Sequence, residues 1–97
     1  MITKHYLKSR KVCKVTFTLP DEIAAQSAFL VGDFNHWDRM ATPMQQRGGH
    51  FSVTVELECD RSYHFRYLID GKNWENDDKA DRYWWNPYGS MNCVISV

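Results

Sequence analysis

The fold of this chain is decided by residues 63–71, which read YHFRYLIDG. Apolar side chains occupy every second position from Tyr63 to Ile69, and His64 and Arg66 stand between them. This period of two predicts a half-buried β-strand of an antiparallel sheet. The Asp-Gly pair that closes the stretch predicts a hairpin turn immediately after the strand.

The same alternation is found on both sides of this stretch. It recurs in Cys13–Leu19 and in Phe51–Glu58, and Cys93–Val97 ends the chain with β-branched residues. The short apolar run Ala28–Val31 predicts a central strand that is covered on both faces. Turn signals rich in Gly, Pro and Asp separate these runs. Five or more short strands in 97 residues predict an all-β, immunoglobulin-like antiparallel β-sandwich.

Length and charge limit the classes of function. A chain of 97 residues is expected to form one domain, residues 1–97, in which residues 1–10 form a flexible or edge-strand segment. Twelve basic side chains balance twelve acidic ones. A neutral balance argues against nucleic acid and against anionic membrane surfaces as partners, because both require an excess of cations. An uncharged partner is expected instead.

Cysteine usage and the N-terminus predict a cytoplasmic protein. The three cysteines are an odd number and show no C-x-x-C spacing, which favours reduced thiols over a disulfide framework. The first residues lack the apolar stretch of a signal peptide, and no run approaches the ~20 apolar residues of a membrane span.

Catalytic and metal-binding patterns are not found. There is no G-x-S-x-G motif, and the four histidines show no ligand spacing. Acidic residues crowd residues 75–81, but a solvated polar loop is the expected interpretation, because a glycosidase needs two carboxylates across a cleft. We therefore expect no catalytic residue, no metal site and no cofactor.

The tryptophans are the strongest indication of function. Trp37 and Trp74 stand among Asp, Asn and Gly residues rather than in apolar runs. A large ring in a polar loop is expected to meet either the edge of the core or a ligand. A flat apolar face flanked by polar groups suits a sugar ring. Trp84 and Trp85 are adjacent in an extended segment, so their side chains face opposite ways and at least one should pack inward.

The orientation of Trp74 depends on the hairpin. A two-residue loop would pair Tyr67 with Trp74 and place both on the core-facing side. A three-residue loop, residues 70–72, would pair Leu68 with Trp74 and turn the ring outward beside Arg66. The residues alone leave both alternatives open.

Three blocks of sequence together resemble a known family. They are residues 32–37 (GDFNHW), residues 63–71 with Trp74, and residues 86–92 (NPYGSMN). Their order is similar to that of family 48 carbohydrate-binding modules, also called isoamylase N-terminal or early set domains. It is also similar to that of the glycogen-binding domain of the AMP-activated protein kinase β subunit. The likeness runs from about Lys11 to Val97, and it implies a sandwich of the early set type.

The resemblance also implies a site. By position, Trp37 and Trp74 match the two rings that stack on glucose units of an α-1,4-glucan, and Arg66 matches a basic residue. The last loop supplies a hydrophobic, a hydroxyl and an amide position, which are Tyr88, Ser90 and Asn92. This chain departs from the pattern by an Arg in place of Lys, by a larger side chain at Tyr88 and by one extra residue between Gly71 and Trp74. The extra residue favours the longer hairpin loop.

The resemblance implies non-catalytic binding of an α-glucan polysaccharide or oligosaccharide that is like glycogen or starch. The catalytic barrel of the related family 13 glycoside hydrolases has no counterpart in this sequence. The alternative is a protein-interaction or regulatory module of a glucan-metabolising enzyme, without sugar binding of its own. Such an enzyme is then the expected partner.

Overall fold

The computed structural model describes residues 1–97, which form nine β-strands and one 3₁₀ turn. The 3₁₀ turn spans Asp33–Asn35 and follows the third strand directly. In chain order the strands are β1 (Ile2–Tyr6), β2 (Val12–Thr18), β3 (Ala28–Gly32), β4 (Gln45–Arg47), β5 (His50–Glu58), β6 (Ser62–Ile69), β7 (Asn73–Glu75), β8 (Arg82–Trp85) and β9 (Met91–Ser96).

The strands form two antiparallel sheets. The first sheet has the order β1-β2-β5-β4, and the second has the order β3-β6-β9-β8, with β7 also paired to β6. The prediction of an all-β, immunoglobulin-like sandwich is therefore confirmed. The structure contains no helix of the length and apolar character needed to cross a membrane.

The core lies between the inner faces of the two sheets. Alternate residues of β2, such as Val15 and Phe17, are fully buried, and so are Phe65 and Tyr67 of β6. The rings of Phe17 and Phe65 meet edge to face with their centroids 5.0 Å apart, an arrangement that aromatic pairs prefer. Because the inner face of β6 is committed to the core, its outward residues remain available to form a site.

The prediction that Ala28–Val31 forms a central strand is wrong in its position. Strand β3 is at one end of the second sheet, although Leu30 and Val31 are fully buried. The segment around Pro43 covers the free edge. The backbone N–H of Leu30 donates to the carbonyl of Thr42 at 2.9 Å, and Phe29 forms an isolated bridge with Pro43. This segment therefore satisfies the backbone groups at the edge of β3, as a neighbouring strand would.

The hairpin after β6 has the three-residue loop. Leu68 pairs with Trp74 and Ile69 pairs with Asn73. Asp70 and Gly71 both have positive φ, at 53° and 71°, as a type I′ turn requires. The N–H of Lys72 donates to the carbonyl of Ile69 at 3.1 Å. The three-residue loop therefore places Trp74 on the outward face of the sheet, beside Arg66.

The side chain of Asp70 ties this hairpin to the segment that precedes β3. Its Oδ1 accepts hydrogen bonds from the backbone N–H groups of Ser27 and Gln26, both at 2.9 Å. These two bonds, that from Ser27 first, hold the pKa of Asp70 below its usual value because they stabilise the charged form.

Candidate functional site

An open groove of about 660 Å³ crosses the outward face of the second sheet. The structure brings all six side chains that the resemblance implies to this groove, namely Trp37, Arg66, Trp74, Tyr88, Ser90 and Asn92. Five further residues line it, namely Asp33, Arg39, His64, Asn86 and Pro87. The three sequence blocks are far apart in the chain, and the sheet is what places them side by side.

The loop that carries Trp37 is held in an unusual backbone conformation. His36 and Trp37 both have φ of 58°, in the left-handed region that costs non-glycine residues roughly 1–2 kcal/mol each. The side chain of Asn35 compensates, since its Nδ2 donates to the carbonyl of Leu30 and to Oγ1 of Thr42, both at 2.9 Å. Such stored strain is typical of functional loops.

Asp33 fixes the ring of Trp37. Its Oδ1 accepts a hydrogen bond from the indole Nε1–H of Trp37 at 2.8 Å. Its Oδ2 accepts one from the backbone N–H of His64 at 2.8 Å. One carboxylate therefore ties the indole to β6, so that the orientation of the ring is set before any ligand arrives.

Trp74 lies on the outward face with two guanidinium groups over its ring. The Cζ atoms of Arg66 and Arg39 lie over the ring at 5.8 and 5.5 Å from its centroid, within the range of cation–π attraction. The Nε–H of Arg66 also donates to Oδ1 of Asn76 at 3.0 Å, and its Nη1 donates to Oγ of Ser90 at 3.4 Å. Arg66 is thus held at both ends of its guanidinium.

The last loop is organised by Asn86. The Nδ2 of Asn86 donates to Oγ of Ser90 at 2.8 Å and to Oδ1 of Asn92 at 3.1 Å. Its Oδ1 accepts hydrogen bonds from the backbone N–H groups of Tyr88 and Ser90. The Tyr88 residue itself is 93% exposed. Ser90 and Asn92 are therefore fixed within the groove, whereas the Tyr88 ring stands free at its rim.

The prediction that Trp84 or Trp85 packs inward is wrong. Trp84 is 61% exposed and Trp85 is 67% exposed. They do face opposite ways, because Trp84 pairs with Asn92 and Trp85 pairs with Met91. However, β8 ends the second sheet, and β9 is the one strand that borders it. Alternation along a strand sets the face of the sheet to which a side chain points, but at an edge strand the side chains on that face need not be buried.

A buried polar cluster lies beneath the groove. Asp77 is fully buried, and its Oδ2 accepts a hydrogen bond from the hydroxyl of Tyr67 at 2.8 Å. Burial raises the pKa of Cys93 to about 11, so its thiol stays protonated at neutral pH and is a poor nucleophile. Burial and the adjacent Asp77 carboxylate also raise the pKa of Tyr67. These groups support the sheet structurally and do not face the groove.

The residues that hold the side chains of the groove in place are not predicted from the sequence. Asp33 and Asn86 lie inside the sequence blocks that carry the resemblance, but the groups to which they are hydrogen-bonded include some that only the fold brings close. Asn76 lies in the acidic segment for which the sequence predicts a solvated polar loop. The signal that could have indicated these residues is a polar side chain within four positions of a candidate ring, since Asp33 is four before Trp37, Asn76 is two after Trp74 and Asn86 is two before Tyr88.

Comparison with protein families agrees with this geometry. Residues 7–97 match the model of a family that is described as the glycogen recognition site of AMP-activated protein kinase. A comparison with curated proteins finds no match. The family match spans nearly the whole chain and therefore includes every element that contributes to the groove.

Proposed function

Because this chain belongs to the family of glycogen recognition domains described for AMP-activated protein kinase, we propose that it binds an α-1,4-linked glucan and does not cleave it. Trp37 and Trp74 are the stacking platforms, and Arg66 and Asn92 donate hydrogen bonds to sugar hydroxyls. The observation that supports this most strongly is that the candidate side chains of all three sequence blocks line one groove.

The energetics of two platforms lead to modest affinity. If each ring removes ~50–100 Å² of apolar surface from water, stacking contributes about 1–2.5 kcal/mol per platform. Losses of translational, rotational and side-chain freedom oppose this gain, so a dissociation constant on the order of micromolar to millimolar is expected. The ligand is neutral, and binding should therefore depend little on salt.

The carboxylate content of the groove supports binding without hydrolysis. Asp33 is the one acidic residue that lines the groove. Both of its oxygens accept hydrogen bonds, one from Trp37 and one from the backbone of His64. A glycosidase of the usual kind needs two carboxylates that flank the scissile bond.

The free cysteines Cys13, Cys59 and Cys93 are compatible with a reducing cytoplasm as the place of action.

Calorimetric titration with maltoheptaose tests the proposal. We expect saturable binding in the micromolar to millimolar range, nearly equal at low and high salt, and weaker binding of the β-linked control cellohexaose. The absence of both a binding heat and a change in tryptophan fluorescence at several millimolar maltoheptaose would contradict it.

Substitution of Asp33 tests the fixed orientation of the Trp37 ring. Asparagine has one acceptor oxygen, so Asp33→Asn can serve the indole of Trp37 or the N–H of His64, but not both. A net hydrogen bond contributes about 0.5–1.5 kcal/mol, and affinity for maltoheptaose should fall roughly 2–10-fold. Asp60→Asn, outside the groove, is the matched control and should bind as the unchanged protein does. If Asp33→Asn binds maltoheptaose with unaltered affinity, the two hydrogen bonds of Asp33 do not contribute to glucan binding.

A further inference from the structure

Trp84 is an exposed ring on the same face as the groove. It pairs with Asn92 across β8 and β9, and cross-strand partners point to the same face of a sheet. Asn92 itself lines the groove. Yet 61% of Trp84 is exposed, which is unusual for a residue that is highly buried on average. Such a ring on a polar face suggests that a ligand covers it.

His64 connects the groove to Trp84. Its ring lines the groove and meets the ring of Trp84 edge-on, with the centroids 6.1 Å apart. His64 also lines a second, shallow depression that contains Trp84 and Arg82. The Nδ2 atom of Asn92 is 3.4 Å from Nδ1 of His64. The two depressions are therefore neighbours that share His64 as a common wall.

The sheet order places Trp84 beyond the groove rather than inside it. Strand β7, with Trp74, borders the C-terminal half of β6, whereas β9 borders the N-terminal half. Strand β8 is one strand further out, and adjacent strands are about 4.8 Å apart. A chain that lies across Trp74 and Arg66 and continues past His64 would reach Trp84.

We propose that Trp84 is a third aromatic platform, which extends the site to α-glucan chains longer than those that Trp37 and Trp74 cover. This inference rests on the proposed function. The occupant is a further stretch of the same neutral glucan, because the depression beside the ring shares His64 with the groove and its surroundings offer amide, imidazole and guanidinium groups to hydroxyls. Trp85, which pairs with Met91 on the opposite face, is no part of this platform.

The test compares short and long ligands on matched variants. Maltotriose and maltodecaose are titrated into the unchanged protein, Trp84→Ala and Trp85→Ala, and the melting temperature of each variant is measured. Maltodecaose should bind the unchanged protein more tightly than maltotriose does. Trp84→Ala should lose about ten-fold in affinity for maltodecaose and little for maltotriose. Trp85→Ala, the same truncation on the other face, should alter neither.

The outcomes separate this inference from the proposed function. Unchanged affinity of Trp84→Ala for maltodecaose would overturn the inference. Equal losses for both ligands would also overturn it, because they would indicate a structural role. If the unchanged protein binds neither ligand, the proposed function itself fails, and the inference fails with it.

Discussion

Maltoheptaose binding should weaken by at least about 30-fold when Trp37 and Trp74 are both replaced by alanine. Each ring contributes about 1–2.5 kcal/mol of stacking, so a single replacement should weaken binding by roughly 5- to 70-fold. Together the two losses, about 2–5 kcal/mol, correspond to a roughly 30- to 5,000-fold weaker affinity. The measurement is calorimetric titration of both single variants and the double variant.

The fold should survive these changes. Neither Trp37 nor Trp74 belongs to the cluster of 14 buried core residues. The melting temperature of the double variant should therefore stay close to that of the unchanged protein. Trp85→Ala is the control for loss of an exposed indole outside the groove. A folded double variant that binds maltoheptaose with the original affinity would contradict the assignment of the platforms.

Replacement of Gly32 by alanine should have the largest effect on stability. Gly32 has ordinary extended backbone, with φ at −171°, so the constraint is steric. An ideal Cβ there would lie 2.5 Å from the carbonyl oxygen of His64 and 2.9 Å from the Cβ of Phe65. The oxygen belongs to the backbone of the neighbouring strand β6 and cannot simply rotate away.

We expect Gly32→Ala to cost about 3 kcal/mol or more, at the upper end for overpacking. For a domain of this size, each kcal/mol lowers the melting temperature by about 4–8 °C, so the loss should be roughly 10–25 °C. Thermal unfolding followed by circular dichroism measures it. Gly48→Ala is the control, because its Cβ would enter open space and only its positive φ of 57° is unfavourable. Equal melting temperatures for the two variants would contradict this account.

The sequence predicts those strands whose alternation is complete. Strands β2, β5 and β6 each bury one face on the core, so the period of two is visible in their residues. Strand β8 reads RYWW and carries no such period, since both of its faces are exposed at the edge of the sheet. The edge position of β3 also cannot be predicted from the residues of that strand, because the segment that pairs with its free edge lies elsewhere in the chain, near Pro43.

The candidate site is predicted only in part for a related reason. The two rings and Arg66 follow from the resemblance and from strand alternation. The three-residue hairpin loop follows from the resemblance and not from the residues alone, and in the folded chain the carboxylate of Asp70 anchors the turn to Ser27. The roles of Asp33 and Asn86 depend on hydrogen bonds to partners that become neighbours only in the folded chain.

The most direct test of the central claim is an NMR titration of the ¹⁵N-labelled protein with maltoheptaose. The indole N–H signals of Trp37 and Trp74 report on the two platforms, and that of Trp85 reports on the opposite face of β8. We predict that the signals of Trp37 and Trp74 shift together and saturate with one dissociation constant, while that of Trp85 does not move. Shifts confined to residues outside the groove, with Trp37 and Trp74 unaffected, would contradict the account.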